Sequence, residues 1–542
     1  MNFKCVSSLP AHGIPKTVYL IKDNWNDWFY WETLFIMIYC DEHGVSSRVG
    51  ELKIAEQRMK SESECASDEE KLRARKPELP DAFPYLGEEF FSLGQSENYY
   101  ETLNEIPDMD RRAILEGVRD CAFNLNIYDL YLDHPAMSGS LLRSISERTV
   151  RETWHEIAYG NDFNKPFNFS YLFPFKDVND DFVRLKFNIS PYDTPPSNVQ
   201  AIIGRNGVGK TTLFAGLIKG VINQKAIEAQ HVGLLQVPSG NEAWENNHSY
   251  FTSLTLLSYS PFDRFGPVDS DIIPSGVKYQ YIGLMTKDNI NGKKNIGRVE
   301  LRPKSFDELH YEFCQSMSQC LVGARRKRWE DCLKILENDP LFSEADVSKL
   351  ANVEIVMAGD SVDKSVKDWT EHVRVFLNKL SSGHLVTLIS ITKLIEVTED
   401  RSLTLIDEPE AHLHPPLISA YIRAVSHLMS ERNGVAIVAT HSPVVLQEVR
   451  SDCAWVLNRT GRYMSADRPE LETFGENVGA LTRAVFNHEV VNTGFYKMIS
   501  DAAEEYDNFD KLAMHFDNKL GGEARALART LIKAKNKKRT EG

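Results

Sequence analysis

Nothing in this 542-residue sequence pairs its cysteines. The eight (Cys5, Cys40, Cys65, Cys121, Cys314, Cys320, Cys332 and Cys453) are scattered, with no C-x-x-C among them. That excludes a disulfide scaffold or a zinc framework and makes reduced cytosolic thiols the expectation. No run reaches the ~18 uninterrupted apolar residues of a membrane helix. The best stretch, Trp28 to Cys40, is broken by Glu32 and reads as a strand. Met1 to Gly13 lacks a basic-then-apolar signal pattern, so a soluble, cytoplasmic protein is expected. Basic residues are in the minority, 62 Lys+Arg against 77 Asp+Glu, for a net charge of −15. This argues against a protein that coats nucleic acid over most of its surface, while leaving room for a local basic groove. With no internal repeat or heptad pattern, what remains is a globular chain long enough for two to four domains.

Residues Val18 to Met59 read as strand-rich, and Lys60 to Pro80, polar and charged, as an exposed mobile linker. Leu86 to Tyr159 reads as mostly helical, with Ile114, Val118, Cys121 and Ala122 on one buried face. A second strand-like block follows at Phe182–Ile189.

The strongest signal starts at Val199: an apolar strand, a glycine-rich loop, then a helix. Gly204, Gly207, Gly209, Lys210 and Thr211 fit G-x-x-x-x-G-K-[ST]. The loop Asn206–Gly207–Val208–Gly209 lets successive N–H groups point at phosphate oxygens, and the following helix adds its positive end. Lys210 is expected at the β- and γ-phosphates of ATP, with Thr211 on Mg²⁺ and Thr212 beside it. A second apolar run, Leu403–Ile406, ends in Asp407–Glu408. At the end of a buried strand beside a phosphate loop, Asp407 suits Mg²⁺ and Glu408 suits activation of the attacking water.

Two further motifs are weaker alone. Leu380-Ser381-Ser382-Gly383-His384 opens a helical pattern, where Ser382 by itself is a good N-cap. A third apolar strand ends in Thr440-His441-Ser442-Pro443, where a lone histidine is more often structural. Position changes both readings. Ser382 lies 25 residues before Asp407, and His441 lies 34 after it.

In order and spacing, the four motifs resemble the ATP-binding-cassette ATPases, and more narrowly their soluble branch of SMC, RecF and OLD-type proteins. IDEPEAHLHP followed by ATHSP is similar to the OLD-like side of that branch. The likeness spans about Phe182 to Val449. It implies an α/β fold, a P-loop NTPase of ABC/SMC-like type. ATP and Mg²⁺ are the implied cofactors, and Ser381, Ser382 and Gly383 the implied signature. His441 becomes the switch histidine at the γ-phosphate. An AAA+ ATPase, which shares the first two motifs, ranks below because it should lack a Ser-Gly signature helix.

Two departures narrow the resemblance. The 167 residues between Thr212 and Leu380 hold a helical insertion from about Ser305 to Leu350 rather than a long coiled coil. No Gln follows the strand SLTLLSYSPFDRF where a Q-loop belongs, and Ser260 and Asp263 are the nearest polar candidates. Only 101 residues follow His441, without a strand ending in D-x-D, so no nuclease centre is visible. That combination resembles the PtuA-type ATPases of Septu and retron antiphage defence. DNWNDWFYWETLF, GELKIAEQ and EEFFSLGQSENYYETLNEI are similar to the region before the P-loop there. The resemblance implies a homodimer around ATP, with scope for a higher assembly, and an HNH nuclease partner of PtuB type. In the retron setting it also implies a reverse transcriptase and its RNA–DNA. The other readings are a nucleotide-binding scaffold with little turnover and a RecF-like DNA-repair ATPase.

The expected division is 1–180 N-terminal strands and helices, 181–300 first core lobe, 301–375 helical insertion, 376–450 second lobe and 451–542 helical C-terminus. Arg325-Arg326-Lys327-Arg328-Trp329 is either a phosphate-backbone grip or a solvated helix face paired with Glu330 and Asp331. Lys533, Lys535, Lys537, Lys538 and Arg539 offer a nucleic-acid contact or a soluble tail. His412 and His414 are read as positional rather than metal ligands.

Overall fold

The computed structural model describes residues 1–10, 13–23, 30–143, 145, 147–161, 165–176, 182–222, 233–237, 250–259, 277–287, 301–352, 362–490 and 494–541. Ser260 and Asp263 lie outside the described residues.

The first 161 residues build a module with its own core. Strands β1 (Asn2–Val6), β2 (Thr17–Lys22), β3 (Leu34–Cys40), β4 (Ser46–Glu56), β5 (Ala82–Phe83) and β6 (Phe90–Gly94) form a sheet ordered β5-β1-β2-β3-β4-β6. Helices such as Glu97–Asn104 and Asp108–Gly117 cover one face, burying Phe91, Tyr99, Tyr100 and Ile114. Phe90–Gly94 is thus a strand inside the stretch read as helical. Residues 60–80 are not the expected free linker either. Ser67 caps the helix Asp68–Ala74, Lys60 pairs with Glu70 at 2.7 Å, and Arg58 donates to the Arg73 carbonyl at 2.9 Å. The composition is polar because the helix is exposed; its cap and acidic first turn still make it a helix.

The core is a seven-stranded sheet. β9 (Val199–Gly204), β11 (Ser253–Ser258), β12 (Lys278–Gly283), β15 (Leu403–Asp407), β16 (Val435–Thr440), β17 (Ala454–Thr460) and β18 (Tyr463–Asp467) run in the order β12-β11-β15-β16-β9-β17-β18. All neighbours are parallel except β17 and β18. β15, β16 and β9 are buried throughout, as continuous apolar strands covered on both faces must be. The β17–β18 pair extends the sheet into a region expected to be helical.

Side-chain alternation sorts the two faces. Leu403, Leu405, Leu254 and Leu256 pack with Leu213, Phe214 and Leu217 of the helix Lys210–Ile222. Beyond that helix lies a small sheet of β7 (Phe167–Lys176), β8 (Phe182–Ile189) and β10 (Leu234–Gln236), and β13 (Met285–Lys287) pairs antiparallel with β14 (Leu301–Pro303) in a sheet of their own. On the other face, Ile406, Leu257 and Val438 pack with Leu388 and Ile391 of the helix Ser382–Val397 and Leu417 and Ile418 of Pro415–Glu431. The insertion helices Phe306–Cys320, Ala324–Leu336 and Pro340–Glu344 join this second core through Phe313, Trp329 and Phe342.

The Arg-rich string is divided: Arg326 and Lys327 are exposed, with Arg326 paired to Glu330 at 3.0 Å as the solvated-face reading expects, while Asp331 pairs with Lys334 and the rest is taken up by this packing. Trp329 is fully buried, its indole N–H donating to Thr392 at 3.0 Å, and Arg328 pairs with Glu101 at 2.9 Å. Arg432 meets both Glu97 and Glu101, so a buried charge cluster seams the N-terminal module to the core. The helix Ala324–Leu336 has no side-chain cap of its own after Gly323. Thr102 and Asn98 of the module accept from the Ala324 and Arg325 N–H groups instead, at 3.1 and 2.9 Å.

At the C-terminus, helices Gly494–Glu505, Phe509–His515 and Gly522–Glu541 enclose a separate small core around Ile499, Leu512 and Ala528. Lys535 is used inside it, donating to the Ala503 and Glu504 carbonyls at 3.1 and 2.7 Å. Among the described residues no helix is long and apolar enough to cross a membrane.

Candidate functional site

The phosphate-loop site assembles at the C-terminal ends of β9, β15 and β16. Gly207 and Gly209 take φ of +78° and +117°, which L side chains rarely adopt. A Cβ at Gly207 would meet nothing within 4 Å, so this loop faces open space rather than protein. Asn206 and Gly207 are exposed, whereas Val208 is buried and anchors the loop in the core beside Leu213. Thr211 and Thr212 stand exposed on the first turn of the following helix.

Lys210 is buried and folded back, donating to the Gly204 carbonyl at 2.9 Å and the Arg205 carbonyl at 3.3 Å. Its Nζ lies 3.6 Å from Oε1 of Glu408. Glu408 follows β15 with φ +45° and ψ +59°, a left-handed conformation that costs a non-glycine residue energy and aims its carboxylate across the sheet end. The same Oε1 lies 3.7 Å from Nδ1 of His441. One carboxylate therefore spans the loop lysine and the histidine.

Glu410 was not legible in the sequence. Its side chain is only 7% exposed, and its Oε1 accepts from the Thr440 hydroxyl and the His441 N–H, both at 2.6 Å, with His441 Nδ1 at 3.1 Å. It fixes the histidine just past the end of β16. Only its place two residues after Glu408 marked it. Arg205 and Arg459 were missed as well: with Asn206, Gly207, Val208 and Gly461 they bound a groove of about 270 Å³ beside the loop. Arg205 sits inside the loop motif, but nothing local points to Arg459.

The acidic donor set fits a hard cation. Asp407 continues the face carrying Leu403 and Leu405, and so points to the same side as the helix that starts Lys210–Thr211. Ser258 pairs with Asp407 in register and shares that face. Its hydroxyl is fully buried and finds no partner among the described residues. Thr211, Asp407 and Ser258 offer the oxygen ligands Mg²⁺ takes.

Ser381, Ser382 and Gly383 do not join this cluster; they lie on the other layer, against the loop after Glu408. The N-cap is Ser381, not Ser382: its hydroxyl accepts from the His384 N–H, and Ser382 begins the helix, exposed. A Cβ at Gly383 would lie 2.7 Å from the His412 carbonyl oxygen, so glycine is required for that approach. His412 Nε2 meets the Tyr259 carbonyl at 3.2 Å.

The chain is 33% identical over 536 residues to protein ea59 of Escherichia phage lambda, covering 95% of this chain and 94% of that protein. Residues 223–447 match a family model described as "AAA domain, putative AbiEii toxin, Type IV TA system". Among solved structures, an ATP-binding cassette of an ABC transporter in its ADP conformation aligns at 15% identity. It covers 60% of this chain and 98% of that one, with a TM-score of 0.27. UvrA2 from Deinococcus radiodurans aligns at 15% identity over 59% of this chain and 40% of its own, at 0.27. The architecture is mixed α/β, a mainly parallel sheet that presents a P-loop at the end of β9.

Proposed function

This chain belongs to the family of protein ea59 of Escherichia phage lambda, and we propose that it is an ATP hydrolase working as an ATP-gated dimerisation switch. The observation that carries the reading is Glu408 held between Lys210 and His441 at the mouth of the phosphate loop. An arriving triphosphate competes for Lys210, which leaves the Gly204 and Arg205 carbonyls for the phosphates and releases Glu408 to take a proton from the attacking water. His441, anchored by Glu410, faces the γ-phosphate. Thr211 and Asp407, with Ser258, would hold Mg²⁺, which neutralises phosphate charge when bound.

The exposed Ser382 and the helix N-terminus behind it suit a phosphate presented by a second copy. Two chains would close head-to-tail around two ATP molecules, with hydrolysis opening the dimer. Glu408→Gln should bind ATP, turn over about 100-fold or more slowly, and accumulate as dimer. Light scattering behind size exclusion, with and without ATP, tests this; a nucleotide-bound monomer overturns it. For the biological setting, the motif strings support an antiphage ATPase of PtuA type governing a separate HNH nuclease. A tagged pull-down from the native host, with and without ATP, tests that extension.

A further inference from the structure

Behind the Ser381–Gly383 turn lies a cluster, centred on a buried aspartate, that the ATPase reading leaves unexplained. Asp339, at the start of the insertion helix Pro340–Glu344, has a side chain only 2% exposed. Its Oδ1 accepts from the Leu341 and Phe342 N–H groups, both at 3.1 Å, and lies 3.2 Å from His384 Nε2. Its Oδ2 lies 3.1 Å from His414 Nε2. His384 turns its other nitrogen, Nδ1, to the Ser381 hydroxyl at 2.5 Å. Burial opposes the carboxylate, yet the hydrogen bonds from His384 and the Phe342 N–H and the His414 ring hold Asp339 below the ordinary carboxylate range.

Three parts of the chain meet at this one side chain: the insertion, the first turn of the helix Ser382–Val397, and the loop between Glu408 and the helix Pro415–Glu431. A cap needs only one oxygen of Asp339. The second oxygen, and the reach to two histidines from two other elements, go beyond what starting a five-residue helix requires.

We propose that Asp339 is a positioning residue for the interchain ATP site. Through His384 it fixes Ser381 and the helix start behind Ser382, and through His414 it fixes the loop that carries Glu408 and Glu410. The insertion helix before it is capped by Asn98 and Thr102 at its other end, so the N-terminal module and the ATP-facing turn are connected through one rigid element. This rests on the dimerisation reading above.

The test uses the full chain carrying Glu408→Gln as parent. Asp339→Ser keeps a good N-cap oxygen but cannot reach either histidine. His414→Ala removes one arm at a half-exposed side chain, which guards against a folding failure in the first variant. Each should raise the ATP-dependent dimer dissociation constant at least about tenfold, measured by sedimentation. ATP affinity at concentrations where the chain is monomeric should stay within about twofold, since Lys210 and its loop are untouched. An unchanged dimer constant in both variants overturns the proposal, as does an equal loss of monomer ATP binding, which would mark Asp339 as merely structural. A parent that stays monomeric with ATP bound overturns the dimerisation reading itself, and this inference with it.

Discussion

At the phosphate loop, Glu408 is 38% exposed and its Oε1 lies 3.6 Å from the buried Lys210 and 3.7 Å from His441, which is 45% exposed and held closer, at 3.1 Å, by Glu410. At the seam between the N-terminal module and the core, Arg432 and Glu97 are 2% and 4% exposed, and Arg432 meets Glu97 and Glu101 directly. Both are clusters of opposite charge, but they do opposite jobs. Glu408, still open to water and 3.6 Å from its lysine, keeps much of its hydration and gains about 1 kcal/mol or less from the pair, so it can give up Lys210 to an arriving phosphate at little cost. Charges buried in a seam have no water to return to, and removing one partner there costs about 3–5 kcal/mol. Water access for one partner, more than charge, separates the Lys210–Glu408 pair, which is free to exchange, from a seam closed on both sides.

Lys210→Ala gives the largest effect. It removes the cation expected at the phosphates, and ATP affinity should fall at least about 100-fold, the equivalent of roughly 2.8 kcal/mol of charge-assisted contact. Equilibrium binding of a fluorescent ATP analogue measures it. Undiminished affinity would mean the loop is not the nucleotide site, and the contrast with the seam would collapse.

Arg432→Ala should do the reverse. Urea unfolding should show a loss of about 3–5 kcal/mol, because Glu97 stays buried without its arginine and Glu101, nearly so, keeps Arg328. ATP affinity of the folded fraction should change by less than about twofold. If unfolding is unaffected, the seam is no more costly to break than the exposed cluster.

The same contrast explains what could be read from sequence. The phosphate loop, the Asp407–Glu408 strand end and His441 are contiguous motifs whose chemistry follows from local order, so their places on β9, β15 and β16 were foreseeable. The Arg326–Glu330 pair was foreseeable because it is local, but the roles of Arg325 and Arg328 were not: their partners Asn98 and Glu101 lie more than 220 residues away in sequence, and no local pattern announces them. Asp339 carries no signal of its own in the sequence, and His384 none beyond its place after the Ser-Ser-Gly turn; only the fold brings them together with His414. Residues 60–80 failed differently, since polar composition cannot tell a mobile linker from an exposed helix held by its cap and ion pairs. Ser258 was missed because a serine ending an apolar strand carries no signal until its register with Asp407 is known.

Asp400 gives the smallest and most discriminating effect. It belongs to the seam, its N–H donating to Glu97 and its Oδ2 accepting from Thr153 at 2.9 Å. Its Oδ1 is buried with no partner among the described residues. Burial pushes its carboxyl up to about 6, with Arg401 and the Thr153 hydrogen bond only partly opposing. Between the ordinary carboxylate range and pH 6 the folded chain therefore holds a proton that the unfolded chain has released. Through that window Asp400 makes stability fall as pH rises, and above it the cost is complete. Asp400→Asn should remove this share. The rise in melting temperature between pH 7 and pH 5 should shrink by about 1 °C in scanning calorimetry. A remainder of the same sign should persist from Asp120, whose carboxyl burial also raises to about 6. An identical pH dependence in the wild type and the variant would mean that Asp400 is not carrying an uncompensated charge. The seam would then be as fully paired as its arginine suggests.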